Sequence, residues 1–232
     1  MVDKIIRIPS GIPGLDDLIE GGFEKGSSIL VVGTPGAGKT TFGLQYLYSG
    51  ATKYKEPGIF ITFDENRDEL IKHHKIYGWN FEDLEKKNLF KILEYRPHQV
   101  NKLMEEGGGI IKDAIKSIGA KRLVLDSVTG YSILFKDEYQ KRESIVNLFE
   151  LFKKWGTTTL VTAEDTSSTG FGDGGVSYLT DAIIQLKFEA IGKSAAKQHI
   201  LEVVKMRGTK HSTKVCSYTF GDKGIKVFSD LI

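Results

Sequence analysis

Ser28-Ile-Leu-Val-Val-Gly33-Thr34-Pro35-Gly36-Ala37-Gly38-Lys39-Thr40-Thr41-Phe42 joins a short apolar, β-branched run to a glycine-rich loop and then to a segment of helical spacing. The run reads as a buried parallel strand, and Phe42, Tyr46 and Leu47 continue as a helix from Thr40 to about Tyr54. Between them, Gly33–Thr40 matches G-x-x-x-x-G-K-[ST] in full. Glycines let successive backbone N–H groups turn inward and cradle phosphate oxygens, and the following helix offers its positive end to the same anion. Lys39 is expected on the β- and γ-phosphates, and the Thr40 hydroxyl on Mg²⁺. The loop therefore points to MgATP and, through it, to hydrolysis.

Outward from this stretch, helices and strands alternate. Gly58–Phe63, Leu89–Leu93, Leu123–Leu125 and Thr158–Thr162 read as strands. Asp68–Tyr77, Gln99–Ile118 (around Gly107–Gly109) and the amphipathic Glu138–Trp155 read as helices. After the Gly, Ser and Thr-rich loop Thr166–Val176 the character changes. Ala182–Phe188, Ile200–Met206, Cys216–Phe220 and Ile225–Phe228 are strand-like, with a hairpin turn at Gly221–Gly224. The expected architecture is α/β: a mainly parallel twisted sheet flanked by helices, with an antiparallel β extension at the C-terminal end. With no repeat, linker or low-complexity tract, residues 1–232 read as one domain.

Bulk composition narrows the function classes. The chain has 232 residues, 40% hydrophobic and 27% charged, with a net charge of +2. That balance gives no global drive toward nucleic acid or an anionic membrane. No apolar run reaches the length of a membrane span. Cys216 is the only cysteine, so no intrachain disulfide forms, and its apolar surroundings suit a buried thiol. A cytoplasmic protein is expected. His73-His74, in a polar stretch with no further ligands evident, reads as a solvated helical face, as does Glu82–Lys87.

Carboxylates fall where the chemistry needs them. Asp126 ends the strand Leu123–Leu125, a position from which it can hold Mg²⁺. Asp64 and Glu65 directly follow Gly58–Phe63. There a carboxylate could orient and activate water, or simply form an acidic N-terminus for the next helix. Lys205 and Arg207 close the run Ile200–Val204, and alternation puts both on one side. They could meet a phosphate, or be a basic strand end that Lys210 and Lys214 continue.

Taken together these residues resemble the KaiC family within the RecA-like ATPases. The resemblance runs through Gly11-Ile-Pro-Gly-Leu-Asp-Asp17, Gly33–Thr41, Thr62-Phe-Asp-Glu65, Tyr77-Gly-Trp79, Leu125-Asp-Ser127, Thr180–Ile184, Lys205-Met-Arg-Gly-Thr209 and the tail Tyr218–Phe228. It implies a RecA-like P-loop fold and a ring-shaped hexamer. It makes Asp64 and Glu65 the water-activating pair, although the family usually has two glutamates there. It implies that Lys205 and Arg207 reach the γ-phosphate on the adjacent subunit. Thr41 joins the nucleotide loop, and Ser127 is either a γ-phosphate sensor or a buried strand-end serine. The family's neighbouring Ser and Thr phosphorylation sites match Ser177-Tyr178, so only the serine is kept. The resemblance is to a single-domain relative with a regulatory or signalling role and an unidentified protein partner. Two other readings stand beside it: a RecA-like nucleic-acid motor and a slow nucleotide switch. Against the first, Thr166–Val176 has Phe171 but no Lys or Arg, while Glu164, Asp165 and Asp173 are acidic.

Overall fold

A computed structural model describes residues 5–96, 99, 109–132, 135–165, 176–190 and 197–231. Its strands are β1 (Arg7–Ile8), β2 (Phe23–Glu24), β3 (Ser28–Gly33), β4 (Gly58–Thr62), β5 (Phe90–Glu94), β6 (Arg122–Asp126), β7 (Thr158–Glu164), β8 (Ala182–Ala190), β9 (Lys197–Met206), β10 (Val215–Gly221) and β11 (Gly224–Leu231). Its α-helices are α1 (Lys39–Ser49), α2 (Arg67–His74), α3 (Phe81–Lys86), α4 (Gly109–Ile118), α5 (Val128–Ser132) and α6 (Glu138–Trp155).

Nine strands form one sheet in the order β11-β10-β9-β8-β3-β7-β6-β4-β5. From β8 through β5 every neighbour is parallel, and β8 through β11 pair antiparallel. This is the α/β arrangement expected from the alternation of elements, a mainly parallel sheet with an antiparallel extension, and it agrees with the RecA-like fold that the resemblance implied. Period-two burial divides β3 between two cores. Ile29 and Val31 face α1 and the C-terminal strands, whereas Leu30 and Val32 face α4 and α6. All six residues of β3 are buried, which explains why this segment is unbroken apolar rather than alternating.

Local chemistry sets the ends of the helices. Asn66, Asn80 and Asp137 cap α2, α3 and α6 by accepting from the backbone N–H three residues on. The helix expected to reach Tyr54 ends earlier, since α1 stops at Ser49 and a π turn takes Gly50–Tyr54. Of the expected helix Gln99–Ile118, α4 covers Gly109–Ile118, while residues 100–108 lie outside the described residues. The loop 166–175 lies outside them too. Among the described residues, no helix is long and apolar enough to cross a membrane.

Arg122, fully buried at the start of β6, pins α1 to the sheet. It donates to Glu56 through Nε (2.7 Å) and to the Tyr46 carbonyl through Nη1 (2.9 Å). Its guanidinium lies 4.5 Å from the Tyr46 ring centroid. The thiol of Cys216 is buried, as expected, and burial raises its pKa.

Candidate active site

Because β3, β4, β6 and β7 run parallel, the residues that follow them emerge on one edge of the sheet. Register fixes this, with Gly33 opposite Glu164 and Thr62 opposite both Asp126 and Glu94. The phosphate loop, the pair Asp64 and Glu65, and Asp126 thus meet from three separate stretches of chain.

The loop has the backbone its glycines were expected to supply. Gly36 and Gly38 have φ of 80° and 83°, the left-handed region where side chains are strained. A Cβ on Gly38 would lie 2.4 Å from the Phe220 ring, and one on Gly33 would lie 2.2 Å from the Leu186 carbonyl oxygen. The loop leads into the N-terminus of α1. No side chain caps that helix, which leaves its first N–H groups for an anion. Lys39 folds back and donates to the carbonyls of Gly33 (2.9 Å) and Thr34 (3.1 Å). Burial lowers its pKa, and the charges of Glu164, Asp126 and Asp165 oppose that shift. The hydroxyl oxygen of Thr34 is buried without a hydrogen-bond partner. Pro35 and Ala37 complete the loop, Ala37 buried and Pro35 exposed.

Thr40 donates its hydroxyl to Asp126 at 2.7 Å. Thr162 of β7 donates to the other oxygen of the same carboxylate. This pair of hard oxygens suits Mg²⁺, which takes one or two protein ligands and completes its shell with phosphates and water. Among the described residues, no cluster of three or more His, Cys, Asp or Glu offers a protein-only metal site.

Asp64 and Glu65 reach solvent at the mouth of this edge. Thr62 shapes their turn, since its hydroxyl donates to the Glu65 carbonyl and accepts from the Glu65 N–H. Burial raises the pKa of both carboxyls, and the charge of Asp126 adds to the rise. A carboxyl shifted toward neutral pH is better matched to accepting a proton from water.

Three residues sit differently from the core of the site. Ser127 is buried and its hydroxyl accepts from the Gly130 N–H. Lys205 donates to the carbonyls of Ser177 (3.0 Å) and Thr180 (2.7 Å). Arg207 donates to Asp181 (3.2 Å) and to the Tyr178 carbonyl (3.1 Å). The two cations therefore do share a side, but that side is the far end of the sheet. Arg207 follows β9, whose Met206 pairs with Ala182, and Ala182 pairs with Ile29 near the start of β3. The phosphate loop leaves the other end of β3, roughly 15 Å away along the strand.

The sequence reading missed two features of the site. A cavity of ≈380 Å³ opens on Gly36, Gly38 and Lys39–Thr41, and its remaining walls are Tyr77 and Phe220. No local pattern links positions 77 and 220 to the loop. The second is a correction: His74 does not sit on a solvated face. It is buried, stacked on Trp79 with 6.0 Å between ring centroids, and bonded to Thr41. Its place four residues after the buried Leu70 was the available signal.

Comparison with known proteins agrees with this geometry. The KaiC ATPase family model matches residues 8–232. The circadian clock oscillator protein KaiC of Prochlorococcus marinus subsp. pastoris is 36% identical over 97% of this chain and 46% of its own length. The chain thus spans about half the length of the clock proteins it matches. A UPF0273 protein of Aeropyrum pernix is 30% identical over 100% of this chain and 96% of its own length. Among solved structures, a KaiC-like protein of Pyrococcus horikoshii OT3 superposes with a TM-score of 0.86 and 33% identity. That superposition covers 97% of this chain and 100% of the other. A match along nearly the whole chain, in sequence and in fold, makes this protein a member of the KaiC ATPase family.

Proposed function

We propose that the protein is a single-domain ATPase that binds MgATP at the loop Gly33–Thr41 and hydrolyses it at a site completed by a neighbouring copy in a ring, with a regulatory or signalling role in the cytoplasm. One observation carries the reading. The loop, the Thr40–Asp126 pair at 2.7 Å and two carboxyls of raised pKa converge on one edge of the sheet. Such convergence is what in-line attack of water on a γ-phosphate requires.

The division of labour follows from the contacts. Backbone N–H groups of the loop and α1 hold the phosphates, and Lys39 exchanges its two carbonyl partners for phosphate oxygens. Thr40 and Asp126 would hold Mg²⁺, which when bound neutralises phosphate charge. Asp64 or Glu65 takes the proton of the attacking water.

Lys205 and Arg207 support the shared site. Two cations at the end of the sheet opposite their own loop cannot serve it, whereas a neighbour's loop can be brought to them. A cation supplied in this way is worth about 10³–10⁵ in rate where arginine fingers have been measured.

The test of this reading combines binding with turnover. Lys39→Ala should abolish tight MgATP binding. Asp64→Asn and Glu65→Gln should keep binding, and at least one should lose most hydrolysis. Unchanged affinity in the first variant would remove the loop assignment. Normal turnover in both carboxylate variants and their double would move water activation elsewhere.

A further inference from the structure

Asp181, the residue before β8, is hydrogen-bonded at every polar atom it has. Its N–H donates to the Ser28 carbonyl (2.8 Å), and its carbonyl accepts from the Arg207 N–H (2.9 Å). Its carboxylate serves the same two neighbours. Oδ2 accepts from the Ser28 N–H (3.0 Å) and Oδ1 from Arg207 Nη1 (3.2 Å). Ser28 opens β3, the central strand of the sheet, and Arg207 follows β9. One side chain thus ties the guanidinium to the middle of the fold.

This grip orients Arg207 without exhausting it. A guanidinium has five N–H donors and an ammonium three. Among the described residues, Arg207 commits one donor to Asp181 and one to the Tyr178 carbonyl, and Lys205 commits one each to the carbonyls of Ser177 and Thr180. The remaining donors of both are left for an anion, and the Arg207 side chain is 54% exposed. The turn that carries these acceptors is itself braced. Thr180 is buried and donates its hydroxyl to the Ser177 carbonyl (3.0 Å), and Arg142 of α6 donates to the Tyr178 hydroxyl (3.0 Å). Burial and the charge of Arg207 lower the Lys205 pKa, whereas the charge of Asp181 opposes that shift.

We propose that Asp181 is the positioning residue of the shared site: it fixes Arg207 on the sheet, so that the cation meets the γ-phosphate of a neighbouring copy already oriented. The proposal rests on the reading of Lys205 and Arg207 as cations supplied to a neighbour. An arginine side chain left free to rotate must be ordered at the moment of reaction, and that ordering counts against the rate. Held by a carboxylate on Nη1 and a carbonyl on Nη2, the planar guanidinium is ordered beforehand. Asp181 touches no substrate and acts through Arg207.

The test is steady-state and single-turnover hydrolysis of ATP by the whole assembled protein, with MgATP binding titrated alongside. Asp181→Asn keeps the shape and removes the charge. Asp181→Ser keeps an oxygen that can accept from the Ser28 N–H, but it is too short to reach Arg207. Each should lower kcat by about ten- to hundredfold. KM for ATP should stay unchanged, because the subunit's own loop lies at the other end of β3. Neither substitution should lower kcat further when Arg207→Ala is already present, since the group it positions is gone. Mixing either variant with Lys39→Ala subunits, which keep Asp181 and Arg207, should recover turnover. If Asp181→Asn fails to fold, Asp181→Ser carries the test. Wild-type kcat in both variants, with Arg207→Ala impaired, overturns the proposal. So does a loss that persists in full on the Arg207→Ala background, as a merely structural role requires. Wild-type turnover by Arg207→Ala is a separate failure, because it removes the shared site itself, whatever Asp181 does.

Discussion

Removing the Glu56 carboxylate should destabilise this protein far more than its partly exposed position suggests. Its partner Arg122 has no side-chain exposure, while Glu56 retains 23%. The guanidinium meets Glu56 through Nε at 2.7 Å and Nη2 at 2.6 Å. In Glu56→Ala the Tyr46 carbonyl and ring remain as partners, but the positive charge has lost its counter-ion. Breaking a buried pair from one side costs about 3–5 kcal/mol. Water reaching the vacated, partly open position argues for the lower end, about 3 kcal/mol. For a chain of this size that corresponds to a fall in Tm of roughly 6–12 °C. Equilibrium urea unfolding and calorimetry on the nucleotide-free protein measure both quantities. Adding Arg122→Met removes the stranded charge and should recover part of the loss. A Glu56→Ala variant within about 1 kcal/mol of wild type, or a double variant less stable than the single, would refute the argument.

Other outcomes follow from the site. Gly38→Ala should abolish nucleotide binding, because a side chain there is strained at φ 83° and collides with Phe220; normal titration would contradict this. Mixing Lys39→Ala with Arg207→Ala subunits should restore hydrolysis where an intact loop meets an intact Arg207, and mixed rings as inactive as their components would dismiss the shared site. Single-stranded DNA and RNA should bind negligibly at physiological salt, and sub-micromolar affinity with a steep salt slope would reverse that expectation. Burial lowers the pKa of His74 from 6.5, so below about pH 6.5 the unfolded chain binds more protons there than the folded one. Stability contributed by His74 is therefore complete above that pH and lost as pH falls toward the folded pKa. The gap in unfolding free energy between wild type and His74→Phe should narrow from pH 7.5 to 5.5, and a constant gap would show that His74 keeps an ordinary pKa.

The parts legible in the sequence were those whose physics is local. An unbroken apolar run before a glycine-rich loop announces a buried strand and a phosphate cradle within fifteen residues. The antiparallel tail was legible for the same reason, from alternation and the turn at Gly221–Gly224. Strand order was not legible, because β3 lies between β7 and β8 through contacts more than a hundred residues apart. Tyr77 and Phe220 failed to announce themselves in the same way. His74 was misread because Lys72, His73 and Lys75 around it are exposed, which hides a single inward-facing position. Lys205 and Arg207 were placed on one side correctly, but only the pairing of β9 with β8 and of β8 with β3 shows which end of the sheet they occupy.

That location has a consequence for symmetry. If those two cations serve a neighbour's phosphate loop, as proposed, each subunit presents different surfaces to its two neighbours, because its own loop and cations lie at opposite ends of β3. Contacts of this kind are heterologous, so they cannot pair two copies face to face about a twofold axis. Repetition of the contact either closes after a whole number of subunits or continues as an open helical filament, and the rotation per step decides which. Small changes around Ser177–Asp181, where Lys205 and Arg207 are tethered, would alter that rotation at every step, so a substitution there could turn a closed assembly into a fibre.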